Sequence, residues 1–107
     1  MAMKERVPRA QVVKIARKLK ALSHPERLRI VLELMKKECC VGELQKCVAL
    51  SQPHVSQSLR ILKQAGIVAG RRVERRICYR VKDPETEGMI KLLFEKGKGV
   101  GKKRGRK

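Results

Sequence analysis

The spacing of the apolar residues changes abruptly at Gly66. In residues 55–62 they recur with the period of an amphipathic α-helix, about 3.6 residues. In residues 77–81 they alternate with the period of a β-strand, about two residues, and the apolar run 67–69 supplies a second strand. A glycine just after the last helical turn suits the left-handed conformation that ends a helix. The sequence therefore predicts a helix that leads directly into a β-hairpin.

Four other stretches have apolar residues at helical spacing, namely about residues 9–22, a stretch that restarts near Pro25 and includes 28–35, about 41–48, and 85 to about 96. Ser51 is a suitable N-cap for the helix before the hairpin, and Pro53 suits its first turn. The predicted fold class is mainly α with a small β-hairpin. In this winged helix-turn-helix, the short helix and its successor form the helix-turn-helix and the hairpin forms the wing.

The chain of 107 residues is long enough for one small domain, which we place at residues 9–96. Residues 1–8 are predicted to be a flexible lead. Residues 97–107, GKGVGKKRGRK, are rich in glycine and basic residues, so we predict a disordered basic tail. A domain this small buries only a modest share of its surface, and pairing with a second copy would extend its core.

The composition indicates a polyanionic partner. The net charge is +18, from 28 Lys and Arg against 10 Asp and Glu. A thermophilic surface is also highly charged, but its charges are usually balanced in sign. Tyr79 and Phe94 are the only aromatic residues, which argues against recognition of single strands by base stacking. We therefore expect double-stranded DNA as the partner.

The helix before the hairpin has a polar face without carboxylates, since no acid occurs between Glu43 and Glu74. A helix fits the major groove, so we assign the polar residues within 52–57 to base edges. Arg60 and Lys63 are assigned to phosphates. The hairpin arginines are assigned to the DNA backbone or minor groove, where contacts add affinity more than sequence choice. The alternative for both surfaces is an ordinary solvated face. The candidate DNA-binding residues are Ser51, Gln52, His54, Ser56, Gln57, Arg60, Lys63, Arg71, Arg72, Arg75 and Arg76.

Three motifs lie within residues 19–82: ALSHPERLRIVLEL, SQPHVSQSLRILKQAGIV and RRVERRICYRV. Together they resemble the ArsR/SmtB family of winged-helix transcriptional repressors. The resemblance implies a homodimer joined through the first and last helices. It also implies a sequence-specific regulator that represses an inverted-repeat operator and is released by an inducer.

Many members of that family sense metal ions, and the resemblance allows their two common sites to be checked. One site uses a Cys-Val-Cys pattern and a third Cys at the start of the short helix. In CVGELQKC, Cys40 stands at the first of these positions, Gly42 at the second and Gln45 at the third. The other site needs His, Asp and Glu on the last helix, where ETEGMIKLLFEK has no His. We therefore expect neither metal site and no cofactor.

The cysteines leave three possibilities open. They are small apolar packing residues, or thiols that sense oxidants or sulfur species, or ligands of a thiophilic ion such as Hg(II) or As(III). The candidate sensing thiols are Cys39, Cys40 and Cys47, whereas Cys78 on a predicted strand is assigned to packing.

Two other functions compete with a sequence-specific repressor. A non-specific architectural protein would coat every duplex alike, whereas a repressor prefers its operator by at least roughly 10³-fold. An enzyme is not expected, because no Cys lies near a His in the sequence and no Gly-rich phosphate loop occurs.

The sequence also predicts where the protein is found. No stretch reaches the roughly 18 apolar residues of a membrane span, and the N-terminus carries charges throughout, unlike a secretory signal. We therefore expect a cytoplasmic protein with no membrane contact and with reduced cysteines.

Overall fold

The computed structural model describes residues 6–104, with side chains described within residues 6–95. This part of the chain contains five α-helices and three β-strands, in the predicted class. The helices are α1 (Arg9–Leu22), α2 (Pro25–Lys36), α3 (Val41–Val48), α4 (Gln52–Gln64) and α5 (Pro84–Arg104). The strands are β1 (Cys39–Cys40), β2 (Val68–Val73) and β3 (Arg76–Val81). Residues 1–5 of the predicted N-terminal lead lie outside the described residues.

The strands form one antiparallel sheet in the order β1-β3-β2. β2 and β3 are the predicted hairpin, and Val73 pairs with Arg76 across its turn. The sequence did not predict β1, because two residues are too few to show a period. β1 adds Cys39 and Cys40 to the other edge of β3. The sheet therefore joins the hairpin to the residues that immediately precede α3.

The hydrophobic core surrounds α2 and is closed by α3, α4, the hairpin and the start of α5. Burial of each large apolar side chain stabilises the fold by about 1.5–3 kcal/mol. The inward stripe predicted for α4 is confirmed, since Val55, Leu59 and Leu62 are at most 1% exposed. Other fully buried side chains are Ile30, Val31, Leu44, Ile67, Val68 and Ile90.

The apolar stripe of α1 does not enter this core, although its helical spacing predicts a buried face. Val12 and Leu19 are 51% and 48% exposed. Only the C-terminal end of α1 packs inward, through Ala21 and Leu22. Helical spacing shows that α1 has an apolar face. No other part of the described single chain buries most of that face.

An ionic contact fixes α1 to the start of α5. Lys18, itself buried, lies 2.9 Å from the carboxylate of Asp83 and 3.0 Å from that of Glu85. Asp83 also accepts hydrogen bonds from the backbone and hydroxyl of Thr86, which is buried. The hydrogen bond to Asp83 raises the pKa of Lys18, although burial opposes it.

The last helix is longer than predicted. The sequence predicts its end near residue 96, but α5 continues to Arg104. No proline lies between Pro84 and Arg104, and glycine lowers helix propensity without removing a backbone donor. The part of the predicted disordered tail at residues 97–104 is therefore helical, and residues 105–107 lie outside the described residues.

Candidate nucleic-acid interface

A short turn at residues 49–51 sets the angle between α3 and α4. Ala49 has φ 56°, in the left-handed region that few residues other than glycine adopt readily. Leu44 and Val48 of α3 pack in the same core cluster as the inner face of α4. Burial on this side leaves the opposite side of α4 facing solvent.

The start of α4 follows the predicted capping pattern. The hydroxyl of Ser51 accepts a hydrogen bond from the backbone N–H of His54 at 3.3 Å. Pro53 lies in the first turn, and this turn contains no acidic residue. The remaining free N–H groups give this end a partial positive charge that favours phosphate.

The outer face of α4 carries the residues that the sequence assigns to DNA. Gln52, His54, Gln57, Arg60 and Lys63 are exposed. Ser56 is half-buried, and its hydroxyl accepts a hydrogen bond of 3.3 Å from the side-chain amide of Gln52. The polar groups of this face thus lie on one accessible side of the helix, as contact with a groove requires.

The wing is a tight hairpin. Its turn consists of Glu74 and Arg75, and Glu74 has φ 58°, so a non-glycine residue supplies the positive φ that such turns need. Gly70 pairs with Tyr79, and a Cβ on Gly70 would lie 2.9 Å from the tyrosine ring. Glycine is therefore required here so that the ring can lie against the strand.

The four wing arginines are all exposed, but they have different partners. Arg71 forms an ion pair of 2.8 Å with Glu38. Arg76 donates a hydrogen bond of 3.5 Å to the sulfur of Cys40. Arg72 and Arg75 form no ion pair or side-chain hydrogen bond within the described residues. The sequence assigns the same role to all four arginines. In the structure, Arg71 and Arg76 have partners within the protein, whereas Arg72 and Arg75 have none among the described residues.

The outer face of α4 contains no carboxylate of its own, but the fold brings one from α2 next to it. A Glu26 oxygen on α2 lies 3.7 Å from Nε2 of His54 and 3.1 Å from Nδ1 of His24. Sequence reasoning missed this contact, because no local pattern relates Glu26 to a residue two helices further on. The Nε2 edge of His54 therefore already has a carboxylate neighbour within the protein.

The candidate sensing thiols differ in their exposure to solvent. Cys39 and Cys40 are buried in β1, whereas Cys47 is exposed on α3. Burial raises the pKa of Cys39, which lowers its thiolate fraction. Within the described residues, no three His, Cys, Asp or Glu side chains are grouped so as to hold a metal ion. Cys78, assigned to packing, is half-buried and pairs with Cys40 across the sheet.

Within the described part of the chain, we find no helix with the length and apolar character needed to traverse a bilayer.

The fold and this surface define a winged helix-turn-helix transcriptional regulator. Residues 24–69 match the family model for "Bacterial regulatory protein, arsR family". The "Biofilm growth-associated repressor" of Xylella fastidiosa is 39% identical over 75% of this chain and 70% of its own length. The chain therefore belongs to the arsR family of bacterial regulatory proteins.

Solved structures agree with this assignment. Reduced HlyU from Vibrio cholerae superposes with a TM-score of 0.76 and 33% identity, over 81% of this chain and 92% of that one. HlyU of that organism is named a transcriptional activator. The homodimeric winged helix-turn-helix domain of Mb0332 from Mycobacterium bovis has a TM-score of 0.81 over 98% and 99% of the two chains. Its 24% identity supports the fold alone.

Proposed function

We propose that this protein is a homodimeric transcriptional repressor whose α4 contacts base edges in the major groove of an inverted-repeat operator. The observation that carries the proposal is the exposed, polar outer face of α4 next to a hairpin with five exposed arginines, four of them near its tip. The Xylella relative is named a repressor, which supports repression. Such a protein acts on the genome, so we place it in the cytoplasm.

The proposed base contacts come from the residues at the start of α4, and the phosphate contacts from basic residues on both sides. Gln52, His54, Ser56 and Gln57 lie near the helix N-terminus, which enters the groove first in helix-turn-helix proteins. Arg60 and Lys63 lie further along the same exposed side. Arg72 and Arg75 in the wing have no competing ion pair among the described residues, so we assign them the strongest backbone contacts.

The proposed dimer joins α1 and α5 of one subunit to those of its partner. Both helices carry large apolar side chains that one chain leaves exposed. Those of α1 are Val12, Val13, Ile15 and Leu19, and those of α5 are Leu92, Leu93 and Phe94. Monomeric proteins rarely expose apolar patches of such size, and a symmetric pair of copies would cover both.

Selection of bound duplexes from a random pool tests the proposal. A two-fold symmetric dimer should select an inverted repeat whose half-sites lie about 10 bp apart, or a multiple of that. Competition should then give a preference of at least ~10³-fold for the selected duplex over random duplex. A pool that shows no enrichment, with equal binding to every duplex and a steep salt dependence, would instead support the architectural alternative.

A thiol-directed inducer completes the proposal. Cys47 is exposed to solvent, and Cys40, although buried, is among the residues that line a cleft of about 470 Å³. The selected duplex should be released when peroxide or a thiophilic ion such as Hg(II) is added, and rebound after excess reductant. Release that persists in a protein with Cys39, Cys40 and Cys47 all replaced by Ala would rule these thiols out.

A further inference from the structure

Cys40 and Cys78 lie directly opposite each other in neighbouring antiparallel strands. β1 pairs with β3 in the register Cys39 to Tyr79 and Cys40 to Cys78. Directly opposed residues in such a pair have Cα atoms about 4.5–5.5 Å apart. A disulfide needs a Cα separation of about 4.4–6.8 Å, so the backbone already meets this requirement. Because facing residues share one side of a sheet, both thiols lie on the same side of it.

The sulfur of Cys40 has two polar neighbours. The guanidinium of Arg76 donates to it at 3.5 Å, and the thiol also hydrogen-bonds the carboxylate of Glu43. Cys40 is buried, but it is one of the residues that line the cleft between the start of α3 and β3, which a small reagent can enter.

We propose that Cys40 and Cys78 form a dithiol site that hydroperoxides oxidise to an intramolecular disulfide. The Cys40 thiolate attacks one peroxide oxygen, the O–O bond breaks, and Cys40 becomes a sulfenic acid. The leaving oxygen takes a proton to give water or an alcohol. The Cys78 thiolate then attacks the sulfenic sulfur, and the S–S bond forms as the S–O bond breaks to release water. The two thiols lose two electrons in all, and the peroxide gains them.

The other cysteines are placed less well for this bond. Cys39 points to the opposite side of the sheet, as the neighbour of Cys40 along a strand, and its thiol donates to the carbonyl of Lys37 at 3.4 Å. Cys47 lies at the far end of α3 from Cys40, about 10 Å along a helix for seven residues. Arsenite prefers three thiolates, which the described residues do not group together. The opposed pair therefore suits a disulfide best.

The bond would link the stem of the wing to the residue that begins the helix-turn-helix. It would also remove the free thiol that accepts from Arg76. The site itself does not depend on any DNA contact, so its test is independent of the proposed function.

Peptide mapping of the full chain tests the site. The reduced protein is treated with equimolar hydrogen peroxide, its remaining thiols are alkylated, and it is digested with trypsin. Trypsin separates residues 38–46 from residues 77–80, so the disulfide links these two peptides in a product that lacks two hydrogens and carries one alkyl group on the remaining cysteine. We expect this product to be abundant, and to disappear when dithiothreitol is added before alkylation.

Substitutions assign the bond to individual sulfurs. Cys40→Ala and Cys78→Ala should each abolish the linked product, whereas Cys39→Ala and Cys47→Ala should retain it. Circular dichroism checks that each variant is folded. Two results in the wild-type protein alone would overturn the proposal: full alkylation of Cys40 and Cys78 after peroxide, or a product that joins Cys78 to residues 47–60. A linked product that survives in Cys40→Ala would overturn it as well.

Discussion

Glu38, at the end of the α2–β1 connection, holds Arg71 of the wing in an ion pair of 2.8 Å. The carboxylate is 27% exposed and the guanidinium 65% exposed, so the pair lies at the surface. In the proposed complex, DNA would have to compete with Glu38 for this arginine. We expect Glu38→Gln to strengthen binding to every duplex by about 2–5-fold, because exposed pairs contribute up to about 1 kcal/mol. The salt slope of binding should become steeper by about one.

Glu33→Gln is the matched control for that variant. Glu33 pairs with Lys36 on α2 at 3.5 Å and, among the described residues, forms no ion pair or hydrogen bond with the wing, yet its replacement changes the net charge equally. If both variants bind more tightly by the same factor, the gain reflects net charge and the account of Arg71 is wrong.

Arg72→Ala and Arg75→Ala should weaken binding to all duplexes alike. Neither arginine has an ion pair within the described residues, so both are available to phosphates. Titrations at several salt concentrations should show a slope lower by about one for each variant, with base preference unchanged. Arg71→Ala should have a smaller effect, because Glu38 already partly neutralises that charge.

Arg29→Ala provides the comparison for the wing variants. Arg29 is exposed on α2 and is not assigned to DNA. A loss for Arg29→Ala as large as that for Arg72→Ala would contradict a specific role of the wing.

The pair of Lys18 and Asp83 predicts how stability depends on pH. Burial raises the pKa of Asp83, but hydrogen bonds from Thr86 and Lys18 and the charge of Lys18 outweigh this, so the pKa lies below its usual 3.8. The unfolded chain therefore binds this proton at higher pH than the folded chain does. The contribution of Asp83 to the free energy of unfolding should be complete well above pH 4 and should be lost as the pH falls through the lowered pKa.

Asp83→Asn should remove this pH dependence and destabilise the fold by about 1–3 kcal/mol at neutral pH, in chemical denaturation. Glu85→Gln is the control, because Glu85 also contacts Lys18 at 3.0 Å but its side chain is 72% exposed. Its effect should stay below about 1 kcal/mol. An equal effect of both substitutions would mean that burial of the Asp83 contact does not matter.

Leu93→Glu tests the proposed dimer. Leu93 is 64% exposed in the single chain, so a glutamate there should leave the fold of the subunit intact. In the dimer it would bury a charge, and light scattering should report a monomer. Affinity for the selected duplex should fall by at least ~100-fold, since the two half-sites would no longer be bound together. Ile77→Glu, at an apolar wing residue 41% exposed, should remain dimeric; a dimer in both variants would contradict the proposed interface.

Local pattern predicted the elements that build the interface. The bounds of α3, the N-cap Ser51 and the end of α4 at Gly66, with φ 81°, all follow from residues close together in sequence. Each depends on a short-range preference, such as a hydroxyl at an N-cap or a glycine at positive φ. Short-range preferences of this kind decide these three features, but they do not hold at Ala49 and Glu74, which adopt positive φ without being glycine.

The contacts that modify the interface could not be predicted in this way. Glu26 meets His54, Glu38 meets Arg71, and Cys40 faces Cys78 only because the fold brings separate elements together. The exposed stripe of α1 shows the same limit, since periodicity identifies an apolar face without identifying what covers it. The contacts between separate helices and strands, rather than residue type, decide which side chains remain available to a ligand.

The most direct test of groove contact by α4 is the specificity of the double variant Gln52→Ala/Gln57→Ala. Both residues are exposed on the outer face of α4, so their replacement should leave the core intact. The measured quantity is the ratio of the Kd for random duplex to the Kd for the selected duplex. We expect this ratio to fall at least ~10-fold, at about 1–3 kcal/mol for each lost base contact, while the Kd for random duplex stays nearly constant. An unchanged ratio would contradict contact between this face and the bases.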